Sequence, residues 1–382
     1  MLTERVAVDA YTVNGIPPSR VLRPTSAQDV SDAIAAANAD GSAMVLFGGA
    51  TRSEIGDAPS RYDAALDLRG VRGIVEHSPA DLVCTVRAGT TLAELAAELV
   101  AKGQRWPIDA AEPERATIGG TIASAAAAPS RLRHQHPRDW IIGCEAVLGD
   151  GTRARAGGRV VKNVTGYDLT RLYSGSFGTL AALVELSLKL IAIDEATRLL
   201  VLRDDDVPRL ARLGGELRAA LPLDSIVIAT GAAGGGTALY VRIAGSAAAV
   251  ERLAREVSAR AAFVEADARE LQRLVDVTTR SDDVARVSVA PGTEGDAMSG
   301  DAVAYVGAGS TFIVGERSDD ELRTTRERVE AAGGALILER IAPARRRALG
   351  TWGALRAPAA VQRALKQRFD PKSVLAPGRT PA

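Results

Sequence analysis

Gly157–Leu190, GGRVVKNVTGYDLTRLYSGSFGTLAALVELSLKL, is the stretch that decides the fold. It compresses several glycine turns, the polar run Asn163 to Asp168 and two apolar segments into about the length of one βαβ unit. That is more turn chemistry than a passive core needs. Gly166, Gly175 and Gly178 let backbone approach a flat or anionic ligand with no Cβ in the way, and Val184 to Leu190 alternates as a half-buried strand.

The 382 residues are long for one hydrophobic core, and an apolar content of 46% can fill two. Lys+Arg and Asp+Glu both total 47, so there is no charge excess to hold a phosphodiester backbone, and nucleic acid is not an expected partner. No apolar run approaches the ~20 residues that span a bilayer, and MLTERVAVDA at the start has acids and no signal-peptide core. A soluble, cytoplasmic chain without a transmembrane segment is expected. Cys84 and Cys144 sit in strand-like apolar surroundings and read as buried filler. His134 and His136 form an H-x-H pair in the basic loop Arg131 to Asp139, but no further ligand completes a coordination set, so no metal is expected. All three histidines, His77 included, precede Pro137, so the remainder of the chain supplies no imidazole.

Upstream, Thr25 or Ser26 can cap a helix through Ile34 to Ala39 that ends at Gly41. The apolar strand Met44 to Phe47 then breaks into Gly48-Gly49-Ala50-Thr51-Arg52-Ser53, which is either a plain turn or a nest of outward N–H groups suited to a pyrophosphate. Neither the dinucleotide fingerprint nor the P-loop pattern occurs here. Alternating strands follow to Gly89, and Thr90-Thr91 with Glu94 opens a helix. Ala116 to Ala126 feeds paired glycines into a helix of small residues, whose first N–H groups could meet phosphate or flavin oxygens or whose smallness could serve helix–sheet packing. Trp140 to Leu148 and Thr152 to Ala156 form a hairpin about Gly149-Asp150-Gly151.

Together LFGGATR, CTVRAGTTLAELAAEL, ATIGGTIASAAAAP, the stretch from Arg138 to Leu190 and the terminal FDPKSVLAPGR resemble the FAD-binding domain of the vanillyl-alcohol-oxidase (PCMH-type) flavoproteins. Within that family they are most similar to the FAD-binding subunits of glycolate oxidase, whose hallmark run stands here as Lys162 to Leu172. The resemblance implies an α+β fold: a two-subdomain PCMH-type FAD-binding domain over 1–194, an α+β cap with an antiparallel sheet over 195–342, and a segment 343–382 returning to the first domain. It places Gly48, Gly49, Ala50, Thr51 and Arg52 at the pyrophosphate, and Gly119, Gly120 and Thr121 near the flavin ring and phosphates. Ser124, Arg138 and Asp139 would line the flavin region, Asn163, Thr165, Gly166 and Tyr167 the wall beneath it, and Leu183 and Val184 the adenine. The family's covalent attachment uses His or Cys, and Ala50, Thr51 and Arg52 offer neither, so the FAD is expected to be non-covalent.

By the same resemblance the chain is an FAD-dependent oxidoreductase subunit acting on a small 2-hydroxyacid, with a larger flavin subunit and an iron–sulfur subunit as partners. Any contact with the inner face of the membrane would run through those partners. The tail departs from the family, with Ala376 where asparagine is usual, and the cap lacks the family's substrate-binding histidines. The catalytic base is therefore unassigned, with Tyr240 and Tyr305 as candidates, and Arg379 is left between the cofactor pocket and a cluster of carbonyls. The alternatives are a self-sufficient FAD oxidoreductase for another alcohol or hydroxyacid, or a flavin-free interaction subunit. In the cap, repeated strand and helix patterns suggest two related halves over one sheet; Gly231 to Gly236 and Pro291 to Asp301 read as loops, and Arg345-Arg346-Arg347 as a solvated face.

Overall fold

A computed structural model of the protein describes residues 8–158, 167–354 and 359–381. Strands β1 (Arg20–Leu22), β2 (Met44–Phe47) and β3 (Ala64–Asp67) form a small parallel sheet in the order β1-β3-β2. The helix Ala27–Asp40 covers it with Val30, Ile34 and Ala37. Ser26 caps this helix in a box with Asp29, and Gly41 closes it at φ 77°, a left-handed conformation that glycine adopts without a Cβ clash. The tail completes this layer: Leu375 bridges Met44, and the Met44 amide donates to Val374 O at 2.7 Å. Asp370, fully buried, accepts from the Val374 and Leu375 amides at 2.9 and 2.7 Å and from Lys366 Nζ at 2.6 Å, which fixes the turn into that bridge.

A second, antiparallel sheet has the order β4-β5-β9-β7-β8, built from β4 (Ile74–Ser78), β5 (Val83–Arg87), β7 (Ile141–Leu148), β8 (Arg153–Gly157) and β9 (Ala181–Lys189). The short pair β6 (Gln104–Arg105) and β10 (Ile191–Ala192) flanks it. Cys84 and Cys144 are free thiols in the core of this layer, and burial pushes them up to about 11 and about 12, so they stay protonated and inert. The hairpin turn forms as expected, with Gly151 at φ 88° and Thr152 N on Asp150 Oδ1.

The third sheet is eight-stranded and antiparallel, in the order β14-β11-β13-β12-β16-β17-β15-β18. Its strands are β11 (Ala196–Arg203), β12 (Ser225–Thr230), β13 (Ala238–Gly245), β14 (Val264–Ala266), β15 (Val284–Ser288), β16 (Ala302–Tyr305), β17 (Ser310–Val314) and β18 (Ala335–Arg340). Each set of four has the spatial order fourth, first, third, second, and the two sets join along β12 and β16. The cap is thus one motif used twice. One face packs on the helices Val207–Ala220 and Ala247–Ser258; Val303, Tyr305 and Phe312 on the other share a cluster with Ala111 and Ala127 of the first domain.

Of the two stretches read as loops, one is a loop and the other is not. Pro291 to Asp301 is a built loop: Glu294, 1% exposed, accepts from the amides of Gly292, Gly307 and Gly309 at 2.7–2.8 Å, and Gly231–Gly234 is a helical turn. The triple arginine is not a solvated face. Arg346 is 3% exposed with Nη1 on Leu338 O at 2.6 Å, and Arg345 spans Asp283 and Asp319 at 2.5 and 2.7 Å, because the helix Pro343–Leu349 lies on the cap edge rather than in solvent.

Where cap meets first domain, Arg242 holds Asp109 Oδ2 at 2.6 Å and Asp224 Oδ2 at 2.5 Å, and His134 Nε2 reaches Asp224 Oδ1 at 3.3 Å. Burial alone would raise the Asp224 carboxyl, but the His134 hydrogen bond and the Arg242 guanidinium outweigh it and hold it at about 2, below its ordinary 3.8. A depressed folded-state value means that the stabilisation is complete above about pH 4 and disappears as pH falls toward 2; it amounts to about 2 kcal/mol. Urea unfolding of Asp224→Asn should show a deficit near pH 6 that shrinks toward pH 2.5; a deficit unchanged across that range would contradict this coupling.

Candidate active site: a cleft between the two small layers and the cap

The turn after β2 and the helix Ile118–Ala123 face one another across a cleft. Its lining includes Gly48, Gly49, Ala50, Thr51, Arg52, Thr117, Gly120, Thr121, Ser124, Phe177 and Arg379. Gly119 and Leu183 line an adjoining cavity with Gly178, Leu68 and Ala88. Most of the expected cofactor residues are therefore brought together from distant parts of the chain. The others are placed elsewhere. Val184 is 1% exposed in the core beneath the first layer, and its carbonyl accepts from the Ala88 amide. Arg138 is exposed and outside the lining; Asp139 accepts from the His136 amide at 3.2 Å and pairs with Arg171 at 3.2 Å. Tyr167 is 93% exposed, and Asn163, Thr165 and Gly166 lie outside the described residues.

The glycines of the turn serve close packing. A Cβ on Gly48 would stand 2.2 Å from Thr117 Oγ1, and one on Gly49 would stand 1.8 Å from Arg115 O. The turn is thus pressed against residues 115–117, and its amides are turned loose: those of Gly49, Ala50 and Thr51 donate to no acceptor among the described residues. Ala50 sits at φ 57°, uncommon for a residue with a Cβ and costing roughly 1 kcal/mol. Consecutive free N–H groups about a left-handed residue form an anion nest.

Of the two readings of the small-residue helix, helix–sheet packing is the one its backbone follows. Its first amides are consumed within the protein: Ile118 N on Thr90 O at 2.9 Å, Gly119 N on Ala88 O at 2.8 Å and Gly120 N on Thr117 Oγ1 at 3.2 Å. A Cβ on Gly119 would meet Ala88 Cβ at 2.8 Å, so helix–sheet packing explains that glycine. This helix offers space and a wall, not a ring of donors.

Three residues that sequence reading left aside or unresolved help to shape the cleft. Phe177, at φ 53°, lines both cavities and meets Trp352 edge-on at 5.6 Å. Thr117 is the helix cap, a role legible in Thr117-Ile118-Gly119-Gly120. Arg379 does both things left open for it: Nη2 donates to the carbonyls of Ser53 (2.6 Å) and Ile55, while Nη1, buried and without a partner among the described residues, belongs to a side chain that lines the cleft. Burial and the nearby Arg346 guanidinium lower Arg379 to about 10, so it remains a cation at neutral pH. Arg52 is occupied: its Nη1 lies 2.8 Å from Glu339 Oε2, and Glu339 Oε1 lies 2.5 Å from Arg286 Nε. Glu339 reaches both because the β15–β18 pairing slips register at Val284/Ala285, an irregularity that re-aims a side chain. Tyr240 donates weakly to Gly234 O and is not in the cleft; Tyr305 is fully buried, and burial raises its hydroxyl far above its ordinary value.

Loose amides at an anion nest, an orphaned guanidinium nitrogen and a wall of Ala110, Ala111, Ala123 and Ala126 suit an anionic, planar dinucleotide. Sequence comparison agrees: residues 18–157 match the family model described as FAD binding domain. This stretch is an FAD binding domain, and FAD is its cofactor. Among similar proteins, glycolate oxidase subunit GlcE of Escherichia coli is 43% identical over 127 residues, 33% of this chain and 36% of that one. Glycolate oxidase subunit GlcD of Bacillus subtilis is 29% identical over 203 residues (53% and 43%), and D-lactate dehydrogenase of Archaeoglobus fulgidus 30% over 191 (48% and 43%). The matched stretches span under half the length of these curated relatives. A solved structure of alkyldihydroxyacetonephosphate synthase superposes with a TM-score of 0.71 at 14% identity, covering 96% of this chain and 78% of that one, so the likeness of fold runs through the cap as well.

Gly49→Ala should cost about 1–3 kcal/mol in urea unfolding, because the Arg115 carbonyl has nowhere to retreat. The control is Gly215→Ala in the helix Val207–Ala220, where a Cβ meets nothing within 4 Å; it should stabilise by about 0.5–1 kcal/mol. Equal effects at the two sites would contradict the packing account.

Proposed function

We propose that the chain is the FAD-binding subunit of a glycolate (2-hydroxyacid) dehydrogenase or oxidase complex, taking part in flavin-mediated oxidation and electron transfer. The observation that carries the reading is the nest of free amides at Gly49, Ala50 and Thr51, facing a small-residue wall within an FAD binding domain. The names of its relatives, glycolate oxidase subunits and D-lactate dehydrogenase, supply the substrate class. In this reading residues 1–194 hold the cofactor, 195–342 form the cap and 343–382 return to the first domain.

The amides of Gly49 to Thr51 bind the pyrophosphate with Arg379 beside them, Thr117, Gly120, Thr121 and Ser124 wall the ring end, and Gly178 and Leu183 receive the adenine. Bound FAD supplies the acceptor for a hydride from the substrate carbon. The cap has no histidine, so a larger flavin subunit performs or shares the hydroxyacid chemistry and an iron–sulfur subunit carries electrons onward. The chain works in the cytoplasm and meets the membrane only through those partners; among the described residues no helix is long and apolar enough to cross one.

Neither His nor Cys lines the cleft among the described residues, which favours non-covalent FAD. Purified protein should absorb near ~450 nm and release its flavin to the supernatant on heating. Colour retained by the precipitate contradicts non-covalent binding, and a colourless protein that refuses added FAD contradicts the reading as a whole. With glycolate and an artificial acceptor, turnover should require the partner subunits; full turnover by the isolated chain would overturn the subunit assignment.

A further inference from the structure

One residue is held from both domains at once in a backbone conformation that its side chain disfavours. Glu112, 7% exposed, sits at φ 50°, in the left-handed region that a residue with a Cβ seldom enters. Such a conformation persists only where the surroundings over-determine it. From the cap, the helix Ala268–Arg280 does part of this: Asp276 Oδ1 accepts from the Glu112 amide at 2.8 Å, and Thr279 Oγ1 donates to Glu112 Oε1 at 3.1 Å. From the first domain, the amides of Arg115 and Ala116 both donate to the Glu112 carbonyl at 2.8 Å, and Arg115 Nη1 donates to Glu112 Oε2 at 2.8 Å. Every polar atom of Glu112 is therefore committed, to one domain or the other.

Arg115 carries the constraint into the cleft. Its carbonyl is the atom on which Gly49 is packed, 1.8 Å from where a Cβ would stand, and its Nη2 donates to Gly49 O at 3.3 Å. Gly49 begins the run of amides without an acceptor among the described residues. The route from Asp276 through Glu112 and Arg115 to Gly49 thus consists of hydrogen bonds and one close packing contact, so a shift of the cap helix reaches the nest. The same helix also holds the wall: Gln272 Nε2 donates to Ala110 O at 3.0 Å, and Leu271, Leu274 and Val275 share an apolar cluster with Ala111. Ala110 and Ala111 line the cleft, whereas no residue of the helix does. Whatever the helix does to a bound cofactor, it does through these intermediaries.

We propose that Glu112 is a positioning residue: through it the cap helix Ala268–Arg280 sets the turn Gly48–Arg52 for the cofactor's pyrophosphate, so that seating of the cap and binding of FAD favour one another. The proposal rests on the pyrophosphate assignment above and gives the cap a role in cofactor binding that needs no contact with the cofactor. Such coupling is reciprocal: a seated helix tightens FAD, and bound FAD steadies the helix by the same factor.

The test is calorimetric titration of the full-length chain, freed of flavin, with FAD and with ADP, which carries the pyrophosphate without the ring, together with amide exchange in the helix. Asp276→Ala removes the acceptor of the Glu112 amide and should weaken both ligands about tenfold. Asp276→Asn, which keeps an acceptor oxygen there, should restore most of that affinity. Glu112→Gly tolerates the positive φ but cuts the side-chain tethers, so it should fold and still bind both ligands more weakly. In the wild type FAD should slow exchange across Ala268–Arg280, and in Asp276→Ala that slowing should vanish. The helix Ala247–Ser258, on the opposite face of the cap sheet, should respond in neither. Equal slowing of the two helices, which general stabilisation by a ligand produces, or wild-type affinity in Asp276→Ala, would overturn the proposal. So would FAD weakened with ADP untouched, since the route runs through the turn. A wild type that binds FAD and ignores ADP would instead sink the pyrophosphate assignment on which that route depends.

Discussion

One carboxylate holds the geometry of the cleft together. Glu339, 4% exposed, is gripped on one oxygen by Arg52 from the turn after β2 and on the other by Arg286 from β15. Each arginine serves one oxygen of this buried carboxylate, so removing either leaves an oxygen without its charged hydrogen-bond partner, at a cost of about 1–3 kcal/mol. The turn therefore cannot shift without disturbing the cap edge. Arg340 on Glu54 at 3.3 Å and Arg379 on the Ser53 and Ile55 carbonyls fasten the same turn from two further directions. So fixed, and with Gly48 and Gly49 pressed on residues 115–117, the turn can leave consecutive amides without an acceptor among the described residues. Such preorganisation suits the binding of an anion, because the donors need no rearrangement when it arrives.

The parts of the fold written in local chemistry were readable from the chain. Ser26 with Asp29 and Thr91 with Glu94 form capping boxes where the spacing placed them, Gly41 and Gly151 take positive φ, and the recurring cap pattern resolves into two sets with one strand order. The helix Val207–Ala220 has no place in the sequence reading; Pro208 stands in its first turn, and Leu210, Leu213 and Leu217 bury it against the cap sheet, so tertiary packing overrides the penalty of Gly214 and Gly215. Within the site, the turn Gly48–Arg52 was legible because glycines after a strand announce backbone that comes close to something. What it comes close to was not: the near neighbour of Gly49 is the Arg115 carbonyl.

The paired-glycine helix marks a different limit. Thr117-Ile118-Gly119-Gly120 has the composition of a phosphate-binding helix start, yet its donors are spent on Thr90, Ala88 and Thr117. Composition specifies that space is left open; it does not specify where hydrogen bonds go. Glu339 and Arg286 were illegible for a simpler reason, since Glu339 meets partners more than 50 residues away through a register irregularity that no local pattern encodes.

Amide hydrogen exchange at residues 49–51, followed with and without FAD, bears most directly on the central claim. Those N–H groups have no acceptor among the described residues, so they should exchange rapidly in the free chain and slow by at least about tenfold when the cofactor is added, whereas Gly119 and Gly120, bonded within the protein, should barely change. Exchange at 49–51 that is indifferent to FAD, in protein whose absorbance shows the flavin bound, would contradict the account.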